Sequence, residues 1–180
     1  MATKVILDAG HGGANPGAVY GARREKDDAL SLVFAIGEQL QEAGVDVYYT
    51  RVTDVYESPY EKATEANLIE GDYFISIHRN SSVYPNQYTG VESLVYNQYS
   101  EAAVLAENIN EQLERVGWKN LGINERPNLV VLNRTEMPAV LVEVGFINTE
   151  EDNALLDLKF GETAGAIATG ILDTIAIPAR

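Results

Sequence analysis

Apolar positions along the chain switch repeatedly between two periods, and that switching predicts the fold. Residues 3 to 8 form a short apolar run expected as a strand. Residues 25 to 43 then place Ala29, Leu32, Val33, Ile36, Leu40 and Ala43 at helical spacing, and Gly44 is well placed to end that helix. Residues 45 to 50 read as a second strand. Ser58 offers an N-cap, Pro59 the first helical position and Glu61 the third residue of a capping box, for a helix that runs to about Glu70 and stops at Gly71. Strand signals recur at 72 to 78, 90 to 96, 129 to 132 and 138 to 144. The last is apolar on both faces, as expected at the centre of a sheet covered on each side. Helices are expected at 100 to 116, from a Thr149 cap through Leu158, and at 162 to 175.

Strands that alternate with helices predict the α/β class: one domain, residues 1 to 180, with a twisted, mostly parallel sheet of about five or six strands and helices on both faces. No repeat, low-complexity stretch or interdomain linker interrupts it. The pieces at about 9 to 24, 79 to 89 and 117 to 128 exceed ordinary connection lengths and are candidate site loops.

Composition narrows the chemistry. The chain has no cysteine, which excludes disulfides and thiolate metal sites and leaves the compartment open. Acidic residues number 27 against 13 basic ones, for a net charge of -14, with no Lys/Arg-rich patch, so nucleic acid is not an expected partner. No run approaches the roughly 18 apolar residues of a membrane span, and no basic and apolar leader precedes the first strand. A cytoplasmic protein and a domain cut from a longer secreted one both fit that start.

The two histidines of the chain each close a strand, His11 within Gly10-His11-Gly12-Gly13 and His78 after Ile75-Ser76-Ile77. In open α/β sheets, ligands and catalytic groups collect at the carboxyl ends of strands. A catalytic zinc takes three ligands drawn from His, Asp and Glu. The third should be a carboxylate delivered by the loop after strand one; Glu25 is best placed, with Asp27 and Asp28 as rivals. Glu143 is a carboxylate in a strand of Ala, Val and Leu, a placement that is unfavourable unless the charge is used or paired, for example with Arg51. The glycine-rich loop lacks the spacing of a phosphate cradle.

Asp8-Ala9-Gly10-His11-Gly12-Gly13, Glu25-Lys26-Asp27, Thr50-Arg51, Ser76-Ile77-His78-Arg79-Asn80 and the run from Pro138 to Asn148 together resemble, in order, the motifs of the zinc-dependent N-acetylmuramoyl-L-alanine amidases of bacterial cell-wall lysis. The resemblance spans essentially the whole chain. It implies one zinc ion on His11, Glu25 and His78, a catalytic Glu143 and a supporting Asn80. It also implies peptidoglycan as substrate, cleaved between the lactyl group of N-acetylmuramic acid and the L-alanine of the stem peptide. Action at the cell wall, outside the cell, a monomeric state and wall-binding domains in a longer parent protein are further expectations. Glycan and stem peptide are expected along the strand ends, where Asn86, Tyr88, Asn124, Arg126 and Asn128 are candidates to touch polar groups. Arg79, where a small residue is commoner, and Ala9, where proline is common, depart from the pattern and bear on substrate detail. Two other classes share the features: a zinc peptidase cutting elsewhere in the wall, and a non-catalytic wall-binding module, which would have lost Glu143 or a ligand.

Some enzymes of that family are blocked by an extra helix between the second histidine motif and the glutamate motif. Here the stretch from His78 to Glu143 is already consumed by two loops, two strands and the helix at 100 to 116, whose apolar stripe suits packing on the sheet. The expected outcome is that the zinc-loaded protein digests purified peptidoglycan without a partner, followed by release of dye from labelled walls. Inertness until a second protein is added would contradict an open cleft.

Overall fold

The computed structural model describes residues 2–176. The sheet begins with β1 (Lys4–Ala9), and a small hairpin of β2 (Val19–Tyr20) and β3 (Arg23–Arg24) leads into α1 (Glu25–Glu42). Next come β4 (Asp46–Tyr49), α2 (Pro59–Ile69), β5 (Tyr73–Asn80), β6 (Val91–Val95), α3 (Glu101–Val116) and β7 (Asn120–Glu125). The chain continues through α4 (Val130–Asn133), β8 (Ala139–Phe146), α5 (Glu150–Leu158) and α6 (Phe160–Ile175). Six strands lie in the order β4-β1-β5-β8-β6-β7, parallel except where β6 meets β8. The α/β class and the mostly parallel sheet are as the hydrophobic pattern predicts; Met1 and residues 177–180 lie outside the described part.

The two faces of the sheet are unequal. On one, α1, α3 and α6 bury Val5, Leu7, Ile75, Ile77, Val140 and Val142 in the main core. On the other, α2 and α4 cover a smaller cluster of Ile6, Phe74, Leu94, Ala139 and Leu141. Because side chains alternate across a strand, Asp8, Ser76, His78 and Glu143 continue the second face beyond that cluster. The short helices leave that end of the face uncovered.

Four sequence-based expectations are corrected. Residues 129 to 132 form the helical turn α4, not a strand: a run this short fits either period, and Val131 and Leu132 bury equally well as a plug on the sheet. The stretch 117 to 128 is largely β7, an edge strand whose Asn and Gly residues mask its period; the buried Asn110 side chain donates to Gly122 O at 2.9 Å and so supports it from α3. The loop after β1 contains the β2–β3 hairpin. Thr149 occupies the N-cap position of α5 as expected, but its side chain makes no capping hydrogen bond, since its hydroxyl donates to Tyr88 O at 2.6 Å. At α2 the capping box of Ser58 and Glu61 is complete.

Arg79, one of the two departures from the motif pattern, is buried and joins four elements. Its Nη1 pairs with Asp28 and its Nη2 donates to Asn153 Oδ1 at 2.7 Å; Asp28 also accepts from Arg23 Nε at 2.7 Å, and Arg23 bridges to Asp157 at 2.8 Å. The end of β5 is thereby tied to α1, the hairpin and α5. Asp28→Ala leaves the Arg79 guanidinium buried without its counter-charge and should destabilise the protein by about 3–5 kcal/mol in urea unfolding. A change under about 1 kcal/mol would mean that Asn153 alone satisfies Arg79.

Candidate metal centre

Three donors meet at the carboxyl ends of β1 and β5. His11 Nε2 lies 3.0 Å and His78 Nδ1 2.8 Å from Glu25 Oε1, and the three donor atoms fall within 4.8 Å of one another. Glu25 is the first residue of α1, buried, and oriented by two backbone amides: Ala18 N–H donates to Oε2 at 2.8 Å and Arg79 N–H to Oε1 at 3.1 Å. Asp28, a rival for this position, is instead committed to Arg23 and Arg79. Asp27 is exposed on the helix.

Local backbone makes the convergence possible. Gly10 gives up a side chain so that the His78 ring can lie against the chain: a Cβ there would sit 2.4 Å from the ring. His11 adopts φ 61, in the left-handed region, and its Nδ1 faces Asn15 Oδ1 at 3.1 Å. A hydrogen bond at that nitrogen sets the tautomer in which Nε2 is free to bind a metal. Asn15 carried no signal in the sequence beyond its place in the glycine-rich loop.

Glu143 lies beside His78 across the β5–β8 ladder and opposite Glu92 across the β6–β8 pair. Its Oε2 is buried without a hydrogen-bond partner. Arg51 does not pair with it; that guanidinium is spent on the carbonyls of Ala9, Gly10, Lys26 and Thr53. Glu92 escaped sequence reasoning, although the same signal marked it, a carboxylate among the apolar residues of a short strand. Asn80 Nδ2 donates to Glu92 Oε1 at 2.8 Å and Asn124 Nδ2 to Oε2 at 2.9 Å, so Asn80 is linked to the surroundings of Glu143 through this carboxylate.

The other candidates fall elsewhere. Arg126 follows β7, is exposed and donates to Glu125 O, with no contact to the cluster. Asn86 accepts from Glu150 N–H, and the Tyr88 ring packs on Phe146; they fasten the 79–89 loop to the start of α5 and the end of β8. Asn128 lines a cavity beside His11 and His78. A segment ahead of α2 and the turn α4 line that cavity together with Asn15 and Asn128 of the 9–24 and 117–128 stretches, whereas no residue of 79–89 is among its walls. Beneath the site, Lys62 Nζ and Asp8 Oδ1 form a buried ion pair at 2.6 Å, to which Thr50 adds a hydroxyl.

The two acids of the site are driven in opposite directions. Burial disfavours ionised Glu25, but hydrogen bonds and charge from His11 and His78 outweigh it and hold the carboxyl well below the usual range. Burial pushes the Glu143 carboxyl up to about 7; His78 opposes the shift, and the Glu25 and Glu92 carboxylates reinforce it. An anionic ligand beside an acid poised near neutrality, with two imidazoles aimed at one point, suits a divalent metal and proton transfer.

Residues 5–173 match the family described as N-acetylmuramoyl-L-alanine amidase. The endolysin of Bacillus phage SPP1 is 33% identical, over 97% of this chain and 67% of its own length. The germination-specific N-acetylmuramoyl-L-alanine amidase of Bacillus subtilis is 30% identical, over 93% of this chain and 78% of its own. The crystal structure of an N-acetylmuramoyl-L-alanine amidase from Clostridium difficile 630 superposes with a TM-score of 0.92 at 29% identity, covering 99% of each chain.

The raised Glu143 carboxyl carries a stability consequence in metal-free protein. The folded group titrates near 7 and the unfolded one at its ordinary 4.5, so between those values the folded chain holds the extra proton. Stability therefore falls as pH rises through that window. Chelator-treated Glu143→Gln should melt roughly 5 °C above the chelator-treated parent at pH 8, with the gap closing by pH 4. A gap independent of pH would rule out the upward shift.

Proposed function

The chain belongs to the N-acetylmuramoyl-L-alanine amidase family, and from that membership and the site's geometry we propose that it cleaves the amide between the lactyl group of N-acetylmuramic acid and the first L-alanine of the stem peptide. Peptidoglycan amidase activity is common ground with its named relatives. The finer assignment concerns the metal, the bond and the residues. One zinc ion is held by His11, Glu25 and His78, with action at the cell wall. The observation that carries this reading is the convergence of three donors of zinc-compatible type next to a buried, partnerless Glu143 Oε2.

Zinc at these donors supplies Lewis acidity, lowering the pKa of water and polarising a carbonyl. The residues do the rest. Asn15 holds the His11 ring in register, and the backbone amides of Ala18 and Arg79 keep the Glu25 carboxylate turned inward. Glu143 Oε2 accepts the proton of the attacking water and returns it to the departing alanine nitrogen. A carboxyl that titrates near 7 can perform both transfers at neutral pH. The Asn80–Glu92–Asn124 chain fixes a negative charge opposite Glu143, which keeps its proton affinity high.

Mass spectrometry of digested peptidoglycan should show new L-alanine amino termini and free lactyl carboxylates; internal amino termini would point to a peptidase. Glu143→Gln should retain stoichiometric zinc while losing about two to four decades in turnover. His78→Ala should lose the metal. Full zinc occupancy in His78→Ala, or parental turnover in Glu143→Gln, would overturn the assignments.

A further inference from the structure

The segment from Arg51 to Ser58, ahead of α2, is built tightly into the loop that carries His11. Arg51 donates to Ala9 O, Gly10 O and Lys26 O at 3.1, 3.0 and 2.9 Å, and Asp54 accepts from Gly13 N–H at 2.7 Å and Lys26 Nζ at 2.6 Å. Gly12, at φ 137, lets the two backbones touch: a Cβ there would lie 2.0 Å from Val55 O. Tyr56 and Glu57 are consequently fixed as one side of a cavity of about 310 Å³ that also borders His11 and His78. Pro59, Leu141 and Val131 supply apolar surface, and Asn128 an amide. Glu57 Oε2 is buried with no hydrogen-bond partner. A polar atom left in this condition in a cavity calls for a donor from a ligand. Burial, and then the Glu65 carboxylate, hold the Glu57 carboxyl above its ordinary range, as expected of a carboxylate short of partners.

The orientation of substrate follows from where the proton must go. Glu143 has to face the leaving nitrogen, so the stem peptide departs over β8 and β6, past Glu92 and Asn80. The acyl half then extends the other way, across His78 toward β1 and α2, where the cavity lies; Glu143 is not among its walls. We infer that this cavity seats the muramyl sugar with its lactyl arm, Glu57 accepting a hydrogen bond from a sugar hydroxyl or the acetamido N–H. The inference rests on the proposed amide hydrolysis. Charge favours the same direction: the muramyl-lactyl half is neutral, whereas a stem peptide bearing free carboxylates would meet unpaired Glu57, the nearby Lys62 being already engaged by Asp8. Volume agrees as well, since small-molecule pockets run from about 300 to 1,000 Å³ and this one is sized for a single ring rather than a glycan strand.

Two synthetic substrates separate the possibilities: N-acetylmuramoyl-L-Ala-D-Glu-L-Lys and D-lactoyl-L-Ala-D-Glu-L-Lys, which lacks the ring. Glu57→Ala should lower kcat/KM about tenfold on the first, mainly through KM, and change it less than twofold on the second. Glu57→Gln, which keeps the shape, should melt within a few degrees of the parent and show a smaller loss. Equal losses on both substrates, or none on the first, would overturn the inference. So would a loss that disappears when the peptide is shortened to L-alanine, which would place the peptide in the cavity. If the parent protein cuts neither substrate, the amide-hydrolysis reading fails separately. Equilibrium binding of N-acetylmuramoyl-L-alanine to zinc-loaded Glu143→Gln then decides the sugar site: Glu57→Ala should weaken it about tenfold, and unchanged binding would overturn it.

Discussion

One carboxylate oxygen holds the site together. Glu25 Oε1 is approached by His11 from the loop after β1, by His78 from the end of β5, and by the amide of Arg79 next to it. Three elements distant in sequence therefore meet at a single atom, and the rest of the structure can be understood as what keeps that atom buried yet satisfied. Isolating a carboxylate from water is strongly unfavourable unless donors replace the solvent. Here two backbone N–H groups donate to it, and the His11 and His78 rings lie against Oε1. The position of Glu25 at the start of a helix adds the favourable end of the helix dipole.

The glutamates at the two ends of the site show how one fold can hold two acids in different states. Glu25 is surrounded by donors and stays ionised; Glu143, a strand away, has a buried oxygen with none and carboxylate neighbours instead. Glu92 is part of that arrangement. Fixed by two asparagine amides, it presents its charge to Glu143 from the antiparallel strand, so the reversal of β6 and β7 against the other four strands has a chemical consequence at the site.

Charge also frames the cleft from outside. The Arg79–Asp28–Arg23–Asp157 chain fastens the first turn of α1 to β5 and α5, while Arg51, Lys26 and Asp54 fasten the segment ahead of α2 to the loop after β1. The donors thus sit on backbone clamped from both sides, as suits the proposed metal centre, which would have to keep its geometry while substrate comes and goes. The uncovered end of the second sheet face, above the small cluster under α2 and α4, provides the space.

The amino-acid sequence by itself determined the alternation of strands and helices, the capping of α2, the placement of His11, Glu25 and His78 near element ends and that of Glu143 within an apolar strand, because periodicity, caps and lone charges in apolar strands are local signals. It also carried the family motifs. Tertiary structure alone decided what those residues face. The sequence is silent on whether Glu143 pairs with Arg51, since only the docked loops show that guanidinium bound to four carbonyls. The turn at α4 and the edge strand β7 were misread because a four-residue apolar run and an Asn/Gly-rich strand have no period strong enough to outvote packing. Glu92 and Glu57 matter through neighbours brought in from other elements, and a contact of that kind comes into existence only when the sheet is assembled; Asn15 acts within its own loop, on His11.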